Sequence, residues 1–374
     1  MGEHHFARRP SVLLGLVLVL GAALVVASPL GAASRHEHNS YTVTPLVSDQ
    51  PGMAPHTDGN LVNAWGLTAG PTTPWWVADN GKDKSTLYGG DGTPRALVVD
   101  VAGGPTGTTF NPTTAFVLPT GGKALFLFDG EDGVIRGWNG AQGTTAIVVK
   151  DRSNVGAIYK GLTIADTAAG PRLYAADFHN ARIDVLDGSF GLVPGGFHDR
   201  FLPRHYAPFN VQVIGDRVYV TYAKQDANAE DELAGQGRGF VDAYDLAGHF
   251  LARVASRGQL NAPWGLALAP ASFGRFAGDL LVGNFGNGKI NAYEERSHEH
   301  FDSRKHHRHH SHDHFKRFKH DGALRDKHGK AIEIDGLWAL RFGNDSAAGP
   351  SSTLFFTAGP NDEHNGLFGS IMPN

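Results

Sequence analysis

A six-bladed β-propeller, closed on itself by its N-terminal strand, is the all-β fold that this sequence predicts. Three observations point to it. One short phrase recurs six times at a spacing near that of propeller blades. Each copy is followed by further strand-like runs. The last copy lacks one strand, which residues 41–47 are placed to supply.

The recurring phrase is a turn residue, often Pro or an aromatic, then Gly-Leu-like residues that open a strand. It appears as Asn63-Ala64-Trp65-Gly66-Leu67, Gly104-Pro105-Thr106-Gly107-Thr108 and Tyr159-Lys160-Gly161-Leu162. Ala207-Pro208-Phe209-Asn210-Val211, Ala262-Pro263-Trp264-Gly265-Leu266 and Ile334-Asp335-Gly336-Leu337 complete the set. The matched positions 66, 107, 161, 210, 265 and 336 lie 41, 54, 49, 55 and 71 residues apart, the last step carrying an insertion. Second strands end in polar residues, as in Trp75-Trp76-Val77-Ala78-Asp79-Asn80 and Leu173-Tyr174-Ala175-Ala176-Asp177. Third strands alternate, as in Lys289-Ile290-Asn291-Ala292-Tyr293. Branched and aromatic side chains suit a pleated, half-buried surface, whereas Gly, Asp and Asn satisfy the turns between. Fourth strands are read at 96–101 and 145–149. The sixth copy has three strands, and pairing with residues 41–47 removes the open sheet edges. The steps are too long for a solenoid, no seventh opening occurs, and beyond residue 34 no segment reads as an amphipathic helix.

Composition agrees with a globular chain: 41% hydrophobic and 19% charged, with 49 Gly and 20 Pro for many turns. A formal net charge of −4 provides no basic field, so nucleic acid is not an expected partner. There is no cysteine, which excludes thiol catalysis, disulfides, Cys-ligated zinc, thioether-bound haem and iron–sulfur clusters. Residues 1–34 read as a signal peptide: Arg8 and Arg9, an apolar run over 11–26, then the small residues Gly31-Ala32-Ala33-Ser34. The run is short against the about 20 residues that span a bilayer. The mature domain, 35–374, is expected to be periplasmic or extracellular, without integral membrane association.

Several longer stretches carry a resemblance. They are Leu46-Val47-Ser48-Asp49-Gln50, residues 173–185 (Leu-Tyr-Ala-Ala-Asp-Phe-His-Asn-Ala-Arg-Ile-Asp-Val), residues 219–226 and 260–268, and Thr357-Ala358-Gly359-Pro360 through to Gly366-Leu367-Phe368-Gly369. Essentially the whole mature chain resembles an uncharacterised family of exported bacterial propeller proteins, distantly like NHL-repeat propellers. The resemblance implies fold and export and brings no activity. Some relatives end in a C-terminal sorting segment; Met372-Pro373-Asn374 resembles no such motif, so sorting of that kind is not expected.

Blade topology puts the loops entering the inner strands on one face with the loops joining second to third strands. That face gathers Asn63, Trp65, Lys160 and Asn261 from the first set of loops, and Glu131, Asp132, Gln225, Asn287, Asn361, Asp362 and His364 from the second. The ligand-binding candidates chosen from it are Asp79, Asn80, Asp177, His179, Asn180, Asn210, Lys224, Asp226, Trp264, Asn284 and Asp335. Converging loops make a concave mouth there. Against this, Asp and Asn at strand ends are ordinary turn formers, and Trp65 and Trp264 suit packing between blades. His179 and Lys224 are harder to read as turn residues. A lactonase-like, metal-dependent hydrolase would hold Ca²⁺ with hard oxygen ligands, and Asp335, Asn210 and Asp177 could imitate such a set. No catalytic residue is identifiable: neither a Gly-x-Ser-x-Gly elbow nor a His-Glu-x-x-His helix occurs.

Residues 298–328 hold ten of the chain's 20 histidines among Arg, Lys and Asp. Such a composition cannot bury a core, so a disordered insertion over about 296–328 is expected, away from the polar face. Neutral imidazoles at His306, His307, His309, His310, His312 and His314 could capture Zn²⁺, Ni²⁺ or Cu²⁺ and release them in acid. The function expected is therefore an exported binding scaffold for an unknown ligand or protein partner. A metal-dependent hydrolase and a metal buffer are the alternatives.

Overall fold

The computed structural model describes residues 38–296 and 318–374. The signal segment 1–34 and the loop histidines His306, His307, His309, His310, His312 and His314 lie outside the described residues. Among those described, no helix is long and apolar enough to cross a membrane.

Six antiparallel sheets make the six predicted blades. Their first strands are Ala64–Thr68, Pro105–Phe110, Tyr159–Thr167, Tyr206–Ile214, Pro263–Leu268 and Leu337–Phe342. Each pairs with a second strand, respectively Trp75–Asp79, Phe126–Gly130, Gly170–Asp177, Arg217–Lys224, Leu280–Asn284 and Leu354–Ala358. The sixth blade closes as the sequence predicts. Tyr41–Ser48 lies antiparallel to Leu367–Pro373, with Tyr41 opposite Pro373 and Ser48 opposite Leu367. The register shifts between Pro45 and Val47, where a residue without an N–H is tolerated. His56–Thr57 adds a short parallel edge to the same sheet.

The recurrent glycine has a packing cause. A Cβ on Gly66 would sit 2.4 Å from the carbonyl oxygen of Thr106, and one on Gly107 would sit 2.3 Å from the amide nitrogen of Leu162. Gly161 faces Asn210 and Gly265 faces the Trp338 carbonyl in the same way. Inner strands of neighbouring blades thus touch backbone to backbone around the axis. This corrects the sixth match: Gly265 straddles Ala339, whereas Gly336 lies in the preceding turn with a positive φ of 62°.

A second correction concerns the insertion. Phe318–Ala323 pairs with Ile290–Glu295 as the fourth strand of blade five, and Leu324, Ile332 and Ile334 are buried after it. The strand Phe318–Ala323 therefore lies inside the stretch 296–328 that the composition assigns to the insertion. Backbone pairing needs few apolar residues on an outer strand, and His320 serves as a strand residue by packing on Tyr293 at 5.4 Å.

Candidate functional site

Aromatic rings from successive blades meet at the centre of the ring. Trp338 stacks on Trp65 at 3.7 Å and on Phe285 at 4.1 Å, with Trp264 edge-on at 5.9 Å and Phe209 at 5.8 Å. All but Phe285 are buried, so this plug is a rigid floor rather than an open pore. The Trp338 indole donates to Asn63 Oδ1 at 2.9 Å, and Trp264 donates to the Lys160 carbonyl at 2.8 Å. The Trp65 indole N–H is buried without a partner among the described residues.

Above the floor, a circuit of side chains crosses from blade to blade. Asn63 Nδ2 donates to Asn80 Oδ1 and to Glu363 Oε1, at 3.1 and 3.2 Å. Asn80 Nδ2 donates to Glu131 Oε2 at 2.9 Å. The Lys160 ammonium then donates to Glu131 Oε1 at 2.5 Å and to Asp231 Oδ1 at 3.1 Å, 5.2 Å from the centre of the Trp65 ring. Lys160 is 1% exposed, Glu131 35% and Asp231 71%. Burial opposes the lysine charge, but Glu131, Asp231 and Glu232 outweigh it and hold the ammonium above the ordinary lysine range. Burial pushes Glu232 up to about 8 against the pull of Lys160, and pushes Glu363 up as well. Two carboxyl groups, of Glu131 and Asp231, contact one fixed ammonium, and Glu232 and Glu363 lie within its field.

The chain is similar to two uncharacterised proteins of Acanthamoeba polyphaga mimivirus. One is 33% identical over 279 residues, covering 70% of this chain and 68% of its own; the other is 33% identical over 276 residues, covering 68% and 72%. This chain belongs to their family. The family members compared are viral, so a bacterial affiliation is not carried by them. No family model matches the chain. Among solved structures, virginiamycin B lyase from Staphylococcus aureus is 10% identical with a TM-score of 0.46, over 89% of this chain and 99% of that one. Regucalcin, a calcium-binding protein from Agrobacterium tumefaciens, is 10% identical with a TM-score of 0.44, over 84% and 92%. Likeness this distant carries no argument about chemistry in this family member.

Of the predicted residues, the structure brings Asn80 into the circuit and Trp264 into its floor. Asn210 lines the channel wall, donating to the Trp264 carbonyl at 2.8 Å. Others prove to be turn and strand-end residues. Asp177 is wholly buried and accepts from the Asn180 backbone and side chain, at 3.1 and 2.8 Å. Asn284, also buried, donates to the Gln259 carbonyl and accepts from Asn261 N–H. Asp226 accepts from Glu230 N–H within its own loop. Asp79 is fully buried, and burial raises its pKa well above the carboxylate range. His179 and Lys224 are half-buried on the rim, and the Nδ1 of His179 lacks a partner among the described residues.

Of the calcium candidates, Asp177 accepts from Asn180, Asn210 Oδ1 accepts from Val211 N–H at 2.8 Å, and the exposed Asp335 accepts from Asn361 N–H at 2.9 Å. Among the described residues, no group of three or more His, Asp or Glu is arranged to hold an ion. Residues missed in the sequence are Trp338, Asp231, Glu232 and Glu363. Trp338 had a signal: Ala64-Trp65-Gly66, Pro263-Trp264-Gly265 and Leu337-Trp338-Ala339 share one register once they are anchored on tryptophan.

Proposed function

We propose that this protein is an exported propeller that binds a small cationic ligand carrying primary amines at the acidic channel mouth. The observation that carries the reading is the buried Lys160 ammonium, paired with Glu131 and Asp231 and within the field of Glu232 and Glu363. One ammonium faces Glu131 and Asp231, and burial holds Glu232 and Glu363 towards their protonated forms, so a second cation is attracted to the excess of acid groups and favours their ionisation. Spermidine is a suitable probe. Calorimetric titration into residues 35–374 is expected to show saturable binding, weakened about tenfold by Asp231→Asn, the most exposed member. Absence of saturable heat, or an unchanged affinity in that variant, contradicts the reading.

Export, and with it membership of an exported bacterial group, is proposed from the basic, apolar and small-residue order of residues 1–34. Intact mass of the secreted protein is expected to begin near residue 35; full-length protein retained in membranes argues against export. The histidine-rich stretch is proposed to take up Zn²⁺, Ni²⁺ or Cu²⁺ independently. Deleting 298–314 is expected to abolish that uptake and leave spermidine binding unchanged.

A further inference from the structure

We infer that the cleft between blades five and six, beside the closing strand Tyr41–Ser48, binds an organic cation with an apolar body, an aryl amidine or amine. The cleft has a volume of ≈ 630 Å³, within the range that takes small molecules. Its apolar wall is an uncovered part of the core. Ile334 and Phe356 belong to the buried cluster that joins the two blades, and Val43 and Leu367 pack against that cluster while staying only partly buried. Met53 stands at the lip and is 65% exposed. Its flexible thioether is suited to fold onto an apolar guest that covers this wall.

The polar wall selects the charge. Glu333 and Asp335 flank Ile334 and both line the cleft. Lys289 lies 3.5 Å from Glu333, whereas among the described residues no cation pairs with Asp335, which accepts from Asn361 N–H at 2.9 Å. The amides of this wall direct donors at acceptors of the protein. Asn361 Nδ2 donates to Asn365 Oδ1 at 3.1 Å, and Gln50 and Asn365 donate to Asp49 at 2.7 and 2.9 Å. Two carboxylates beside amide donors already engaged favour a guest that is cationic and rich in N–H. The cleft shares no lining residue with the Lys160 circuit, so the inference is independent of the mouth ligand.

Residues 35–374 contain two methionines, Met53 and Met372, so methyl-labelled methionine gives one NMR signal at the lip and one control. Met372 pairs with Thr42 and does not line the cleft. Benzamidine is expected to move the Met53 signal saturably and to leave Met372 in place. Benzamide, of the same shape without the charge, should bind at least about tenfold more weakly, and Asp335→Asn should weaken benzamidine about fivefold. Asp231→Asn at the mouth is expected to leave the benzamidine titration unchanged. A Met53 signal that benzamidine does not move, equal affinity for benzamide, or unchanged affinity in Asp335→Asn overturns the assignment. A benzamidine response lost in Asp231→Asn puts the cation at the mouth and overturns it as well.

Discussion

Lys160 is a fully charged group in a nearly dry position, and its neighbours are arranged for that. Removing the ammonium leaves the partly exposed Glu131 and Asp231 to the solvent, so Lys160→Met is expected to lower stability by about 1–3 kcal/mol in urea titration. Asp231→Asn at the exposed edge should cost less than about 1 kcal/mol, which separates folding from binding at the two ends of one ion pair. This distinction was not legible in the sequence. Asp177 and Asn284 look like site residues because they end strands on the right face, yet their polar atoms serve backbone and turn groups. Asp231 and Glu363 look like ordinary loop acids, and only the fold brings them to Lys160 and Asn63.

At the scale of elements, the inner and second strands were readable because the six copies share one packing problem. Adjacent inner strands approach so closely that glycine is required at Gly66 and Gly107. Gly107→Ala drives a methyl to 2.3 Å from the Leu162 nitrogen, and the expected loss is about 1–3 kcal/mol in urea, whereas an alanine in an open turn such as Gly140 should change little. Outer strands were less readable because some are very short: Val99–Asp100 and Leu192–Val193 have two residues each. Backbone pairing holds them, and pairing leaves little composition to read. The N-terminal strand is the opposite case, since a missing partner in blade six made it predictable. Deleting residues 38–48 uncovers the edge of Leu367–Pro373, and light scattering should then report self-association where the full domain remains monodisperse.

For the molecule as a whole, several buried acids hold protons that the unfolded chain releases. Burial pushes Asp129 and Asp242 up to about 7 and Glu232 up to about 8. An unfolded carboxyl ionises near about 4, so between that pH and about 8 the folded state binds more protons. These groups therefore contribute stability that declines as pH rises through that window. The urea midpoint is expected to fall from pH 5 to pH 8.5, and Glu232→Gln to flatten part of the fall; a midpoint that climbs over this range contradicts the assignment.

The same protons connect the mouth to its ligand. A bound ammonium beside Glu232 and Glu363 favours their ionised forms, so binding at pH 7 must expel protons. Titrating spermidine at that pH in two buffers of different ionisation enthalpy measures the count directly. Release of a proton fraction that shrinks in Glu232→Gln, the remainder coming from Glu363, is the predicted result. Binding with no proton release, or with uptake, contradicts the acidic mouth as the place where this propeller takes its ligand.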